Sequence, residues 1–520
     1  METAYAAALS FLFLIAIHRF LSRRHSKSSK QPPPGPLAVP VLGHLHLLEK
    51  PFHHSLARLA ARYGPVFSLR LGSRDAVVVS SAEHARECLI EHDVSFASRP
   101  YFPTMSLMTY GGSTIANCPY GPRWRLLRRV AAVHLLSARR VSAMLPAVAA
   151  EVRAMVRRVC RAAACAPGGA ARVQLRRRLF ELSLSALMET VARTKTSRAE
   201  DDADTDMSPE AREFKESMDV LMPLLGAANT WDYVPMLRWF DVFGVKKKIV
   251  AAVSTRDALF RRLIDTERQR MLDGGDGDVV MGSEEENTSM IAVLLSLQKS
   301  EPETYSDNMI MSMCYSMFTA GTETTAGTIE WAMSLLLNHP NVLKKAQAEM
   351  DAAVGTSRLV TPDDVPRLGY LQCILDETLR LYPAVPLLVP HESTADCTVG
   401  GHYVPSGTLL IVNAYTIHRD PAVWTDPAAF RPERFQDGSA EGRLLLPFGM
   451  GRRRCPGDTL SLRTLGLVLG TLIQCFDWET VGGADKVDMA EGVGITLPRA
   501  VPLEAMCWPR QAMLDVLQKL

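Results

Sequence analysis

The sequence predicts a mostly α-helical domain with small β-sheets, and three observations support this fold class. Apolar residues recur at three- and four-residue spacing over most of the chain, which is the pattern of helices that bury one face. Strand-like runs are few and short, at residues 66–71, 76–79 and 408–413. Strands and helices do not alternate, and no GxGxxG follows a strand. A dinucleotide-binding fold is therefore not expected.

Composition limits the classes of function that the chain can have. Its 520 residues are 47% apolar and 22% charged, as in a folded globular protein. The net charge of +2 gives no reason to expect a nucleic-acid partner. The ten cysteines are scattered without a CxxC pair, so they show neither zinc-finger nor ferredoxin spacing and are expected to be mostly reduced core residues.

The N-terminus carries an apolar run at residues 4–17, which is followed but not preceded by Lys and Arg. This polarity favours an uncleaved membrane anchor with the rest of the chain in the cytosol; the alternative is a signal peptide that is removed. We therefore divide the chain into an anchor with its basic flank (1–30), a proline-rich hinge (31–40) and one large domain (41–520). The prolines of the hinge predict a stiff, extended spacer.

The large domain is predicted to begin with a β-hairpin and to continue with helices. The hairpin joins strands 66–71 and 76–79 through a turn at residues 72–75. Helical periodicity is clear in several further segments, at residues 82–91, 124–136, 146–164, 179–192 and 458–472. Two polar stretches, 197–210 and 273–289, are expected to be solvated loops.

The longest helical pattern covers residues 307–338, with Ser306 as a plausible N-cap and Pro340 beyond its end. In its middle, residues 320–325 read Ala-Gly-Thr-Glu-Thr-Thr. Threonines, a glycine and a carboxylate are poor choices for a buried helix interior, and local rules broken inside a good element indicate function. The alternative is a threonine-rich kink with a surface glutamate.

A second motif lies at residues 448–457, which read Phe-Gly-Met-Gly-Arg-Arg-Arg-Cys-Pro-Gly. Its glycines and proline predict a tightly turned loop that leads into a helix, where backbone N–H groups favour the thiolate of Cys455. One thiolate is too few for a zinc or cluster site, but it is enough for one axial position of a haem. A turn with a buried structural cysteine is the alternative.

Both motifs resemble those of cytochrome P450 enzymes. Five residues match the fixed positions of that family's cysteine-ligand loop: Phe448, Gly451, Arg453, Cys455 and Gly457. The residues of the two motifs are similar to those of the plant microsomal branch and its family 81. That family includes hydroxylases of isoflavonoids and indolic metabolites and a grass branch that attacks herbicides. The resemblance covers essentially the whole chain. It implies the cytochrome P450 fold, with a single haem domain (41–520) behind the anchor.

The resemblance also implies roles for individual residues. Cys455 would bind the iron of haem b through its thiolate, Thr324 would hydrogen-bond to the oxygen under activation, and Glu323 would help to relay protons from water. Four side chains would contact the haem propionates: Trp124, Arg128, His391 and Arg453. Three would form a buried structural charge triad: Glu377, Arg380 and Arg434.

The implied activity is the insertion of one oxygen atom from O2 into a small lipophilic molecule, by hydroxylation or dealkylation. NADPH would be used indirectly, through a membrane-bound NADPH–cytochrome P450 reductase, and cytochrome b5 and membrane lipid are further implied partners. The implied location is the endoplasmic reticulum membrane. Two alternatives stay open: a haem-thiolate isomerase or dehydratase that does not use O2, and a non-catalytic haem-binding protein.

By the same resemblance, five segments should line the substrate pocket: residues 100–120, 215–245, the start of the long helix before Ala320, 384–389 and 492–497. They are rich in apolar residues and offer no obvious partner for an ionic substrate. Neutral aromatic or heterocyclic substrates are therefore expected.

Overall fold

The computed structural model describes residues 10–11, 13–15, 31–198, 207–225, 230–234, 241, 244–273, 288–438, 444–483 and 486–520. Most of the predicted anchor (1–30) lies outside these ranges. Within them, no helix combines the length and the apolar character that are needed to cross a membrane.

Helices make up most of the described chain. In chain order they include α1 Phe52–Tyr63, α2 Ala82–Arg86, α3 Pro103–Met108, α4 Pro122–Val130, α5 Ala138–Cys165, α6 Leu175–Ala192, α7 Pro209–Leu221, α8 Val245–Asp273, α9 Met290–Ser300, α10 Asp307–Asn338, α11 Pro340–Ala353, α12 Gly369–Leu381, α13 Ala414–Ile417, α14 Asp458–Cys475 and α15 Leu514–Leu517. Helices α2 and α4 each continue into a π-helical turn, over Glu87–Glu91 and Ala131–Leu135.

The strands are short and form three small sheets. They are β1 Val66–Leu71, β2 Arg74–Val79, β3 Ala171–Gln174, β4 His391–Glu392, β5 Cys397–Val399, β6 His402–Val404, β7 Leu409–Val412, β8 Phe476–Thr480 and β9 Glu504–Pro509. The strand orders are β1-β2-β7-β4, β3-β9-β8 and β5-β6, and β2 runs parallel to β7 with Val78 opposite Ile411. The predicted fold class, mostly helical with small sheets, is confirmed.

The predicted hairpin is confirmed, although its turn is tighter than expected. Leu71 pairs with Arg74, so the turn consists of Gly72 and Ser73 alone. Gly72 has a φ of +56°, and a Cβ atom there would lie 2.2 Å from the carbonyl oxygen of Tyr233. The close approach of a second backbone therefore requires glycine at this position.

Helix α5 corrects one predicted boundary. The sequence predicts a helix that starts at Pro146, whereas α5 carries this proline in its interior. A proline there removes an N–H donor and costs about 3 kcal/mol. The helix turns before it bury Val141, Met144 and Leu145, and this burial offsets the cost.

Helix α10 has the predicted bounds and lies at the centre of the fold, in contact with α6 and α14. Most of its side chains between Met309 and Leu336 are buried, which explains why it is apolar on several faces. The less buried positions include Ala320, Gly321 and Thr324. These three residues line an internal cavity.

The proline-rich segment lies against the edge of β1. Ser68 donates its N–H to the carbonyl oxygen of Pro34 at 2.7 Å and its hydroxyl to that of Pro33 at 2.9 Å. The N–H of Tyr403 on β6 also donates to the carbonyl oxygen of Gln31 at 3.0 Å. Residues 31–36 therefore follow the first sheet rather than standing away from it.

A buried cluster of charges fixes the irregular chain between α13 and α14. Both oxygens of Glu377 accept from the guanidinium of Arg380, at 2.6 and 2.8 Å, and Oε1 also accepts from Nε of Arg434 at 3.1 Å. The side chains are 0%, 0% and 6% exposed. Arg380 in turn donates to the carbonyl oxygens of His418 and Pro427, both at 2.8 Å. One carboxylate thus organises several turns of non-helical backbone.

Replacing Glu377 with Ala should lower the free energy of unfolding by about 3–5 kcal/mol, because two arginines would stay buried without their anion. Arg431→Ala is the matched control. Its exposed ion pair with Asp426, at 3.0 Å, should contribute less than about 1 kcal/mol, and its N–H would still donate to Glu377. Denaturant unfolding of both variants measures the difference; similar losses in the two would contradict the organising role of Glu377.

Candidate active site

The loop at residues 448–457 is closed by backbone hydrogen bonds. The N–H of Cys455 donates to the carbonyl oxygen of Phe448 at 2.8 Å, and that of Arg454 donates to Gly451 at 3.1 Å. Gly449 and Gly451 both have positive φ, +69° and +66°. A Cβ atom on Gly451 would lie 2.1 Å from the carbonyl oxygen of Leu89, whereas one on Gly449 would meet nothing within 4 Å. Gly451 therefore allows the loop to lie directly on the end of the π-helical turn after α2.

The thiol of Cys455 lies on the wall of an internal cavity, just before the start of α14. Burial raises the pKa of this thiol, and the nearby Asp458 carboxylate adds to the effect. The N–H of Gly457 donates to the sulfur and, together with Arg128 and Arg454, acts in the opposite direction. Burial is the largest cause of the raised pKa, and a cation bound in the cavity would favour the thiolate.

The cavity encloses about 380 Å³ and is mostly apolar. Besides Cys455, it is lined by the central part of α10, including Ala320, Gly321 and Thr324. The hydroxyl of Thr324 donates to the carbonyl oxygen of Ala320 at 2.5 Å, and the side chain is only half-buried because it faces the cavity. The structure thus places Cys455 and Thr324, which were both selected from the sequence, on the wall of the same cavity.

Glu323 does not line this cavity. It lies beside a separate small space of about 10 Å³, which is also lined by Thr324, Arg176 and Thr328. Its Oε1 lies 3.6 Å from Nζ of Lys215 on α7, and its side chain is 9% exposed. Thr324 therefore forms part of the wall between the two spaces, and the acid and the hydroxyl face different sides of it.

The four residues predicted to bind propionates all line the main cavity. Arg453 places its guanidinium 4.4 Å above the ring of Trp124 and donates to the carbonyl oxygens of Ala97 and Cys118, at 2.7 and 2.6 Å. Trp124 donates its indole N–H to Ile115 at 3.2 Å. These two side chains form one packed unit.

Arg128 and His391 are held by backbone groups as well. Arg128 donates to the carbonyl oxygen of Arg454 at 2.6 Å. Nδ1 of His391 lies 2.7 Å from the carbonyl oxygen of Phe96, and this contact assigns the proton to Nδ1. Burial holds the pKa of His391 well below its usual value, and the positive charge of Arg99 contributes to the shift. The imidazole is therefore neutral at pH 7.

Arg99 is a site residue that the sequence analysis missed. It is fully buried, lines the cavity and donates to the carbonyl oxygens of Ala116, Val389 and Pro390, at 2.8, 2.6 and 2.8 Å. Its sequence context, between a serine and a proline, gives no periodic or motif signal. Only the tertiary structure brings it to the cavity.

The cavity edge carries positive charge that the described part of the chain does not neutralise. No carboxylate in the described ranges forms an ion pair with Arg99, Arg128 or Arg453. Burial lowers the pKa of Arg453 to about 10 and that of Arg99 to well below its usual value. Arg453 adds to the shift of Arg99 by repulsion. Such an edge fits an anionic ligand.

A haem meets each of these conditions. It is an apolar macrocycle with carboxylates along one side, and its iron binds a thiolate. The apolar cavity, the thiol on its wall and the unneutralised arginines at its edge therefore fit this group. Fold and cavity together define the class of haem-thiolate proteins.

Comparison with known proteins gives the family. A family model of cytochrome P450 matches residues 33–502. The chain is 43% identical to cytochrome P450 81Q32 of Catharanthus roseus, over 95% of each chain. It is 41% identical to the (+)-piperitol/(+)-sesamin synthase CYP81Q2 of Sesamum radiatum, over 100% of this chain and 99% of the relative. It is also 40% identical to an isoflavone 3'-hydroxylase of Medicago truncatula, over 97% of each.

The chain therefore belongs to the cytochrome P450 family, and its relatives include several members of family 81. It is a cytochrome P450 monooxygenase, an oxidoreductase whose family implies a haem iron with a thiolate ligand. Of the three activities considered from the sequence, the comparisons support oxidation with O2 rather than isomerisation or haem binding without catalysis.

Each of the five segments expected to line the substrate pocket contributes to the cavity wall. The contributors include Met105, Asn117, Met222, Leu225, Tyr315, Thr319, Ala384, Leu388, Ile495 and Thr496. Helices α5 and α6, which the sequence analysis did not place at the pocket, add Met144, Val148, Ala186 and Leu187. These additions are apolar residues with ordinary helical spacing, so nothing in the sequence separated them from core residues.

Tyr315 is supported by a buried polar cluster. The guanidinium of Arg256 lies 4.4 Å from the centre of its ring and donates to Asp257 at 2.7 and 2.9 Å. Tyr110 donates its hydroxyl to the same carboxylate at 2.7 Å. The hydroxyl of Tyr315 hydrogen-bonds to Thr319, which also lines the cavity. This cluster joins the segment before α4 to α8 and α10, and it holds one phenol at the cavity surface.

Gly451→Ala should destabilise the protein far more than Gly449→Ala. Both substitutions put alanine at positive φ, which costs about 1–2 kcal/mol. Only the first also drives a Cβ atom into the backbone of Leu89, so its total cost should exceed that of Gly449→Ala by at least about 2 kcal/mol. Thermal unfolding of the two variants measures this difference. Equal midpoints would show that the loop does not depend on this close approach.

Proposed function

We propose that this protein is a haem-thiolate monooxygenase that inserts one oxygen atom from O2 into a small, neutral, lipophilic aromatic molecule. Electrons are taken from NADPH through a reductase. The observation that carries the proposal is the joint position of Cys455 and Thr324 on the wall of one apolar cavity with a cationic edge. Family membership sets the reaction class, and the cavity supports the choice of substrate.

In this proposal the thiolate of Cys455 would bind the haem iron. Haem with a thiolate ligand supplies the activation of O2, because the sulfur donates electron density that favours cleavage of the O–O bond. The loop holds the sulfur in place through the Cys455–Phe448 hydrogen bond and through the N–H of Gly457, which donates to it. Phe448 also lines the cavity and shields the sulfur with apolar surface.

Trp124, Arg128, His391 and Arg453 hold the propionate side of the group in this proposal. Their bonds to backbone carbonyls fix the side chains before any ligand binds, so little side-chain entropy is lost on binding. Arg99 strengthens the positive potential at the same edge. Because its one proton on Nδ1 donates to Phe96, the neutral His391 ring offers only the acceptor Nε2 to the cavity, so it would hold a propionate by a hydrogen bond only if Nε2 gained a proton when the carboxylate binds.

Thr324 is the proposed proton-handling group in the cavity. Its hydroxyl donates to the Ala320 carbonyl, which leaves the oxygen lone pairs free to accept from water or substrate on the cavity side. Glu323 would supply protons from the small space behind Thr324, where its carboxylate lies near Lys215. That space is about the size of a single water molecule, and Thr324 separates it from the main cavity.

The proposed substrates are flat, neutral secondary metabolites such as flavonoids or indoles, with herbicides as foreign substrates of the same shape. The cavity is apolar apart from hydroxyl and amide groups such as those of Tyr315, Thr319 and Asn117, which suit phenolic or carbonyl oxygens. Relatives named for isoflavones and for piperitol and sesamin support this class. The charged groups at the cavity lie at the propionate edge, so ionic substrates are not expected.

The proposed electron donor is NADPH–cytochrome P450 reductase, with cytochrome b5 as an additional donor, at the endoplasmic reticulum membrane. Residues 1–30 are proposed as the anchor in that membrane. Of the arginines at residues 125–129 and 452–454, Arg125 and Arg129 on α4 and Arg454 in the cysteine loop are exposed and offer positive charge to an acidic electron-transfer partner.

Co-expression with a plant reductase in microsomes, followed by product analysis, tests the whole proposal. Panels of flavonoids, indoles and herbicides should yield at least one product that has gained an oxygen atom or lost an alkyl group, and only when both NADPH and O2 are present. Product formation without NADPH would support an isomerase instead, and no product with any panel member would contradict the substrate class.

Cys455→His should abolish the thiolate-type optical band of the reduced, carbon-monoxide-bound protein, because nitrogen donates less electron density to the iron than sulfur does. Cys118→Ser is the control, since Cys118 is buried nearby but lies outside the cavity wall. The control should keep the band. Persistence of the band in Cys455→His would show that another residue is the ligand.

Thr324→Ala should lower product formed per NADPH consumed by about 100-fold while NADPH oxidation continues, because the proton-handling hydroxyl is lost. Thr322→Ala is the matched control. Thr322 lies on the same helix and donates to the Phe318 carbonyl at 2.8 Å, but it is fully buried and does not line the cavity. The control should keep normal coupling. Equal loss in the two variants would indicate a helix defect rather than a catalytic effect.

A further inference from the structure

A cluster of metal-binding side chains lies outside the cavity. His53 and His54 occupy the first turn of α1, and Glu491 approaches them from a segment more than 430 residues later in the chain. Oε2 of Glu491 lies 2.6 Å from Nε2 of His53 and 2.9 Å from Nε2 of His54. The three ligand atoms all lie within 4.8 Å of one another. A single carboxylate oxygen therefore faces two imidazole nitrogens.

The cluster is closed on one side and open on the other. The side chains of His53 and Glu491 are 4% and 9% exposed, whereas that of His54 is 40% exposed. An ion could enter past His54 and keep a water molecule on the open side. This is the arrangement of a site with three protein ligands and one free position.

Neighbouring groups hold the three ligands in place. The ring of Tyr415 packs against both imidazoles, with centroid distances of 4.5 and 5.0 Å, and its hydroxyl hydrogen-bonds to Glu491. The side-chain amide of Asn413 donates to the carbonyl oxygen of His53 at 3.0 Å. Outer contacts of this kind fix the orientation of ligands and raise metal affinity.

The donor set selects the kind of ion. Two imidazole nitrogens and one carboxylate suit Zn²⁺ and similar transition-metal ions, whereas Mg²⁺ and Ca²⁺ prefer oxygen ligands. The positive Arg419 lies 3.5 Å from the centre of the Tyr415 ring and opposes any cation electrostatically. This repulsion acts on any divalent ion, so only moderate affinity for a transition-metal ion is expected.

We propose that His53, His54 and Glu491 form a binding site for a divalent transition-metal ion such as Zn²⁺. The site would join the start of α1 to the segment that follows Glu491. That segment lines the substrate cavity through Ile495 and Thr496, and the N–H of Leu497 donates to the Ala384 carbonyl at 2.9 Å. Metal binding would therefore stiffen one wall of the cavity from outside it. This inference does not depend on the proposed substrate or on the haem ligand.

The test is isothermal titration of the purified full-length holoprotein with Zn²⁺ after removal of metals by a chelator. Wild type should bind one Zn²⁺ per chain at this site, with an affinity on the order of micromolar. His54→Ala and Glu491→Gln should each weaken binding by about 10–100-fold. The first removes a largely exposed ring and the second keeps the size of the side chain, so both variants should fold. His46→Ala, which removes an exposed histidine outside the cluster, is the matched control and should bind as wild type does.

Thermal unfolding gives a second readout. A fixed excess of Zn²⁺ should raise the midpoint of wild type and of His46→Ala, because the ion binds the folded state, and it should raise that of the two site variants clearly less. Mg²⁺ should shift none of them. The proposal is overturned if wild type takes up no Zn²⁺, if the site variants bind it as tightly as wild type does, or if His46→Ala loses it.

Discussion

The carboxylate of Glu377 is the buried interaction on which the irregular chain after α13 depends. It is fully buried and accepts from Arg380, from Arg434 and from the N–H of Arg431. The two guanidiniums also donate hydrogen bonds to carbonyl oxygens of the irregular stretch between α13 and residue 431. Irregular backbone has no ladder of its own to satisfy these carbonyls. One buried anion therefore substitutes for secondary structure over residues 418–431.

The edge of the cavity, in contrast, carries positive side chains without a matching anion in the described part of the chain. Within the described ranges, Arg99, Arg128 and Arg453 form no ion pair; carbonyl oxygens hold them, together with the ring of Trp124 in the case of Arg453. Dipoles compensate a buried charge less completely than an anion does, so this edge destabilises the chain by itself. A ligand with carboxylates would offset that cost. Folding of this region and binding of the prosthetic group are thus expected to be thermodynamically coupled.

The long helix α10 serves two sides of the molecule at once. Ala320 and Thr324 face the main cavity, while Glu323 faces the small space beside Lys215. Adjacent residues on a helix point about 100° apart, so Thr324 reaches both spaces whereas Glu323 reaches only the small one. Any passage of protons between them must cross the helix surface near Thr324. The segment after Glu491 likewise connects two regions, the cavity wall at Ile495 and the histidine cluster at the start of α1.

The sequence by itself determined the fold class, the bounds of α10 and the start of α14, because helical periodicity and glycine-rich turns are local properties. Its resemblance to cytochrome P450 enzymes indicated four of the residues that line the cavity with Cys455, namely Trp124, Arg128, His391 and Arg453. The sequence misplaced the start of α5, because burial of Val141 and Met144 outweighed the local preference of Pro146. Only the tertiary structure decided that Arg99 faces the cavity, that Glu323 turns away from it and that His53 meets Glu491. These contacts join residues far apart in the chain, or depend on which helix face is turned inward, and neither property has a local signal.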